Sequence, residues 1–201
     1  MSLQSQKASL RREFRERRIR YQARQGGRAA AAARTSLTFN LRRWLRDYDN
    51  PQTLVCAYQP LAEEASFDLD GISCFYPRLR GEQLDFYRPL ARDAFHLNHL
   101  GIAEPLPERS VALSKEIVAG RSLVVVLCPA VAVDTMGHRL GMGKGYYDRF
   151  FADHPVAVRV GVVYQIQVCD HPLPAESWDQ VLDWIVTDKM ILRTSTSKRS
   201  S

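Results

Sequence analysis

The stretch that most constrains this chain is Ser122–Cys128, SLVVVLC, in which Val124, Val125, Val126 and Leu127 form an unbroken apolar run. A strand with one wet face alternates apolar and polar residues. A strand apolar at every position must be covered on both faces, and that is the signature of a sheet packed between helical layers. Pro129 ends the run, since proline brings no N–H to a ladder. Further short strands are predicted over Thr53–Tyr58, Ile72–Tyr76 (stopped by Pro77), Leu84–Tyr87 after a turn around Gly81, Val156–Val163, and Val181–Val186 as the last.

Helical spacing appears before and between these strands. Residues 7–24 place Leu10, Phe14, Arg17 or Arg18, and Tyr21 on one side, with Gly26-Gly27 as the stop. Residues 28–47 carry the stripe Leu37, Leu41, Trp44 and Leu45, ended at Asn50-Pro51, and Tyr146–Ala152 opens a later helix. Strands alternating with helices after a helical N-terminus predict an α/β protein: one domain over residues 1–192, three layers (α/β/α), a central and mostly parallel sheet. Residues 193–201 are expected to be a disordered tail.

The charge is uneven. Residues 1–50 hold 13 Lys/Arg against 4 Asp/Glu, whereas the remainder is mildly acidic. A basic front on such a body suggests an anionic partner: nucleic acid, a membrane or a phosphorylated small molecule. Nothing near the N-terminus reads as a signal peptide, and no stretch approaches the roughly 20 apolar residues that span a bilayer. Glu13 and Glu16 argue against a mitochondrial targeting helix, so a cytoplasmic location is expected. Cys56, Cys74, Cys128 and Cys169 form no CxxC pair, so buried thiols are expected rather than zinc ligands.

Directly after the apolar strand comes Cys128–Phe150, CPAVAVDTMGHRLGMGKGYYDRF. Ligands of open α/β sheets bind beyond the carboxyl ends of strands, so this is the place for a site. Gly137, Gly141, Gly143 and Gly145 let the backbone turn tightly and aim N–H groups at phosphate oxygens. Arg139 can grip a phosphate with two N–H groups and Lys144 adds a point charge. A helix opening at Gly145–Asp148 would favour an anion at its N-terminus. Asp134 and Asp148 flank the glycines, and Mg²⁺ between a carboxylate and phosphates would relieve their repulsion. The spacing is neither a Walker A loop nor a dinucleotide fingerprint. On chemistry alone the segment is a phosphate-binding loop or a structural Gly-rich turn.

The run resembles the signature of the 5-formyltetrahydrofolate cyclo-ligase family in Pro129, Asp134, Gly137, Arg139, Leu140, Gly141, Gly143, Gly145, Tyr146, Tyr147 and Asp148. It departs at Ala130, where the family has glycine, and at Val133, where it has an aromatic residue. The likeness extends along the chain: Lys7 and Arg11 in the first helix; Tyr58-Gln59-Pro60 followed by Glu64, with Glu63 as its rival; Phe86-Tyr87; the segment 101–105; and Gln165.

The resemblance implies ATP-dependent cyclisation of 5-formyltetrahydrofolate to 5,10-methenyltetrahydrofolate with release of ADP and phosphate. Lys7, Arg11 and the loop from Gly137 through Asp148 (Leu140, Lys144, Tyr146 and Tyr147 included) would hold ATP. Tyr58, Glu64, Phe86, Tyr87 and Gln165 would contact folate. Asp148, and less strongly Asp134, would hold Mg²⁺, and Glu64, Arg139 and Tyr147 would act in the reaction. A monomer with no nucleic-acid or membrane partner is expected. Two other readings remain at this point. One is a phosphate-binding enzyme acting on a different folate or metabolite. The other is a basic nucleic-acid-binding protein, which leaves the Gly-rich loop without a purpose.

Overall fold

The structure, a computed structural model, describes residues 2–23, 27–99, 101–120 and 123–195. Two helices come first, α1 (Leu3–Ala23) and α2 (Arg28–Arg46). Then follow β1 (Thr53–Cys56), β2 (Cys74–Arg80), β3 (Gln83–Pro89), β4 (Phe95–Leu97), β5 (Ala103–Pro105), β6 (Ser110–Ala112), α3 (Lys115–Ala119) and β7 (Leu123–Cys128). The second half holds β8 (Ala132–Asp134), β9 (Arg139–Leu140), α4 (Tyr146–Asp153), β10 (Val158–Val162), β11 (Val168–Cys169), β12 (Trp184–Val186) and β13 (Ile191–Arg193).

One eight-stranded sheet runs β13-β12-β10-β7-β1-β2-β3-β6. Its middle, β12-β10-β7-β1-β2, is parallel throughout, and the flanking strands β13, β3 and β6 are antiparallel. The expected three-layer α/β/α domain is therefore present, with a mixed rather than purely parallel sheet. Both faces of β7 are covered. Val125 and Leu127 turn toward α2, whose Leu37 and Leu41 are fully buried; Val124, Val126 and Cys128 turn toward Phe150 and Phe151 of α4. Each such aliphatic residue contributes about 1.5–3 kcal/mol by leaving water. All four cysteines are buried and unpaired. No helix among the described residues is long and apolar enough to cross a membrane.

Three boundaries differ from the sequence expectations. Pro77 does not stop β2, which continues to Arg80. It faces Phe86 in the antiparallel pair, and the Phe86 carbonyl is turned the other way, to Leu113 N–H. Pro77 thus occupies a non-hydrogen-bonded position, where its missing N–H breaks no rung. The sheet also does not end at Val186: Thr187 folds the chain back by accepting Lys189 and Met190 N–H on its hydroxyl, and β13 pairs beside β12. Of the expected tail, Arg193 belongs to β13 and Thr194 is buried, while residues 196–201 lie outside those described, as does Gly26.

Helix α1 is polar on most sides and docks through few residues. Phe14 packs against Val131, Ala132, Leu140, Cys169 and Leu173, and Arg18 rather than Arg17 turns inward. Gly137 locks the loop after β8 onto the sheet. Its φ is +96°, and an added Cβ would stand 2.5 Å from the Leu182 carbonyl oxygen. Gly137→Ala is therefore expected to destabilise the protein by at least about 2 kcal/mol, read as a lower urea midpoint at unchanged m-value.

Candidate active site

Within the parallel middle of the sheet the strand order reverses between β1 and β7. Crevices form at such a switch point, outside the carboxyl ends of the strands. Here a cleft of about 930 Å³ opens, lined by Tyr58 and Gln59 after β1 and by Pro129, Ala130 and Val131 after β7.

The loop after β7 is held from beneath by Asp134. This carboxylate is buried and accepts four donors: Met136 N–H and His138 N–H at 3.0 Å each, Leu173 N–H at 2.7 Å, and the His138 ring Nδ1 at 2.8 Å. Its lone pairs are committed to the loop and it does not line the cleft, so it is an anchor rather than the expected metal ligand.

Strand β9 then aims Arg139 into the cleft. Its guanidinium lies over the Tyr147 ring at 5.4 Å and donates to Asp148 Oδ2 at 3.0 Å, while its buried Nε meets no acceptor among the described residues. A Cβ on Gly141 would stand 2.8 Å from Arg139 Nη1, so the guanidinium would have to shift from where it crosses the loop. Asp148 also accepts the Gln180 N–H at 3.2 Å. It sits in the first turn of α4, behind Gly145, where the helix dipole favours negative charge. Arg11 reaches in from α1 to donate to the Gly141 carbonyl at 2.9 Å. Leu140, Gly143, Lys144 and Tyr146 line the same cleft.

Glu64 lines the wall after β1 and accepts the Leu61 N–H at 3.0 Å. Burial pushes its carboxyl above the ordinary glutamate value, against the pull of that N–H and of Arg18. Glu63 points to Arg18 instead, 3.9 Å away. The Tyr58 hydroxyl is spent on the Ala65 and Val162 carbonyls, which leaves only its ring for a ligand. Burial holds the Tyr147 hydroxyl well above its usual pKa, so it can act only as a neutral group.

Four other expected contacts lie away from the cleft. Gly137 packs against Val181 and Leu182, just before β12, and Thr194, just after β13. Phe86 is buried against Phe150 at 4.9 Å, because the inward face of β3 belongs to the core. Tyr87 does not line the cleft. Gln165 ties the end of β10 to Thr187 and Asp188. In exchange the structure brings in Glu176, Trp178, Asp179 and Gln180 from the segment before β12, Met142 and Arg149 from the loop and α4, and Leu79, Ile102 and Glu104 from the region of β2 and β5.

Residues 3–188 match the sequence profile of the 5-formyltetrahydrofolate cyclo-ligase family. The chain belongs to this family. A Schizosaccharomyces pombe relative is 27% identical over 137 residues, 62% of this chain, and the match spans 65% of that protein's length. The 5-formyltetrahydrofolate cyclo-ligase of Mycolicibacterium smegmatis is 30% identical over 161 residues, 74% of this chain and 80% of that one. The solved structure of Aquifex aeolicus 5,10-methenyltetrahydrofolate synthetase superposes with a TM-score of 0.68 at 26% identity, covering 97% of this chain and 94% of the other.

In this family member Lys7 is tied down by two carboxylates. Its ammonium is buried between Glu176 Oε2 at 2.7 Å and Asp179 Oδ2 at 2.6 Å, and Gln4 donates to the other Glu176 oxygen. Nothing in the sequence marks these partners, which stand some 170 positions away. Burial works against the charged ammonium, but the hydrogen bonds to Asp179 and Glu176 outweigh it and raise the Lys7 pKa. A raised lysine pKa means stability fully present below the ordinary value of about 10.4 and lost only above it. Lys7→Met should therefore cost about 2 kcal/mol at neutral pH. The penalty, measured by urea unfolding, should persist unchanged to at least pH 9.

Proposed function

We propose that this chain converts 5-formyltetrahydrofolate and ATP to 5,10-methenyltetrahydrofolate, ADP and phosphate. The observation that carries this is Arg139, crossing a Gly-rich loop to Asp148 in a family member's cleft that also holds the half-buried Glu64. The formyl oxygen of an N-formyl group is a poor leaving group. Its attack on the γ-phosphorus, with ADP departing, turns it into a phosphate ester. N10 then attacks the formyl carbon, loses its proton, and the C–O bond breaks with the electron pair leaving on phosphate.

Arg139, Lys144 and Arg11 place and neutralise the phosphoryl group, a task of positioning and charge stabilisation. Lys7 joins them by exchanging its carboxylate partners for phosphate oxygens. Glu64 accepts the N10 proton, for which a carboxylate raised by burial is suited. Mg²⁺ fits the site in the way this small cation usually binds, through one or two carboxylates, phosphates and water. Asp148, which accepts the Gln180 N–H, and Asp179, next to Gln180 in the chain, both line the cleft; no cluster of three or more metal-type side chains occurs among the described residues. The ion would supply further neutralisation of charge on the transferring phosphoryl group.

The test is the appearance of methenyltetrahydrofolate absorbance from purified protein, 5-formyltetrahydrofolate and Mg-ATP, against an ATP-free control. Absence of product from a folded, nucleotide-binding protein would give the lead to a different acceptor. Arg139→Ala is expected to lower kcat/KM by about 10²–10³-fold while costing no more than about 3 kcal/mol of stability; an unchanged rate would remove Arg139 from the reaction.

A further inference from the structure

Glu104 lines the cleft, yet neither phosphoryl transfer nor ring closure gives it a task. It sits in β5 at 4% exposure, with Pro77, Leu79, Leu84 and Ile102 as apolar neighbours along the cleft wall. A carboxylate in such surroundings needs donors. Oε1 has two, the Leu79 N–H at 3.0 Å and the Asn98 side-chain amide at 2.8 Å. Oε2 has none within hydrogen-bond reach among the described residues: the His96 imidazole Nε2 stands 4.0 Å away. Half of this carboxylate is satisfied by the fold, and half is left for something in the cleft.

We propose that Glu104 Oε2 recognises the 2-amino, N3–H edge of the pteridine ring, and thereby assigns this apolar wall to the folate rather than to the nucleotide base. The inference rests on the folate reading above. A 2-amino-4-oxopteridine presents neighbouring N–H donors along that edge and no acceptor between them. Ionised glutamate offers only acceptors, so the two match. Adenine presents its amino group beside the N1 lone pair, which would face the carboxylate acceptor against acceptor. The apolar side chains suit the faces of a flat ring. The same wall would therefore accept a pteridine and disfavour the purine of ATP, which keeps two flat heterocycles from exchanging places in one cleft.

Glu104→Gln isolates the free oxygen. Leu79 N–H and the Asn98 amide both donate at the Oε1 position, so the new amide must put its oxygen there. Its NH₂ then takes the place of Oε2, facing the pteridine donors with a donor. Binding of 5-formyltetrahydrofolate, measured by calorimetry on the whole protein, is expected to weaken about 10- to 100-fold, with ATP affinity and the urea midpoint unchanged. A folate analogue with methyl in place of the 2-amino group should bind the unaltered protein more weakly by a similar factor, and should lose nothing further in the variant. Equal weakening of ATP and folate, or additive losses for analogue and variant, would overturn the assignment. Protein that binds the folate without turning it over would sink the reaction and leave the Glu104 subsite standing; protein that binds no pteridine sinks both.

Discussion

Strand β7 lies between β1 and β10 and is covered above and below, so none of its side chains is free to meet a ligand. What it offers is its end. The register pairs Cys56 with Val126 on one side and Gly161 with Cys128 on the other. The chain after β1 and the chain after β7 therefore leave the sheet side by side. One connection goes on to β2 and the other toward β10, on opposite sides of the switch, and the gap between them is the cleft. The same apolar burial that fixes the fold thus fixes where polar chemistry can collect. Every group in the proposed reaction is carried by a segment that starts at one of these two ends or is folded back onto them.

Three of the cations in the cleft have partners within the fold. Arg139 is held by Asp148, Lys7 by Glu176 and Asp179, and Arg11 by the Gly141 carbonyl. An unpaired cation in a partly buried site would cost several kcal/mol, and internal partners remove that cost. In the proposed reaction a polyphosphate entering this cleft would therefore exchange partners rather than fill a field of bare charges. The released carboxylates would become available to a cation that accompanies the phosphates. Anion and metal would then belong to one exchange.

Much of this was legible in the sequence, because it depends on local pattern. The unbroken run of β7 and the stripe of α2 specify layers, and a glycine cluster holding Arg139 and Asp148 behind a buried strand specifies a loop that approaches a ligand. The failures have a common cause. Asp134 and Asp148 look alike as acidic residues flanking glycines, and only burial and four donors separate the anchor from the cleft carboxylate. Phe86 and Gln165 are residue types suited to a ligand, but the fold commits them to the core and to the β10–β12 junction. Asp179 and Glu104 come from distant segments with no local signature; their meaning arises from the residues opposite them, Lys7 in one case and an apolar wall in the other. Pro77 escaped because the phase of an antiparallel ladder is set by the partner strand.

Glu64 shows how such a site departs from what stability alone would favour. Its pKa is raised by burial, so the fold prefers it neutral. That preference contributes stability below the ordinary carboxylate range and loses it as pH rises through the shifted value. At neutral pH the protein therefore carries a half-buried carboxylate at some expense, when glutamine would fit the same space. The surroundings do not cancel the penalty. One backbone N–H at Leu61 and the charge of Arg18 oppose it, yet the net shift remains upward. A group kept in that condition is a better proton acceptor than a surface glutamate, and ring closure at N10 requires a proton to be taken away. Arg139, whose Nε has no acceptor among the described residues, is another place where the fold leaves polar capacity unspent. Both line the same cleft, one where the proposed reaction would remove a proton and the other where it would develop negative charge.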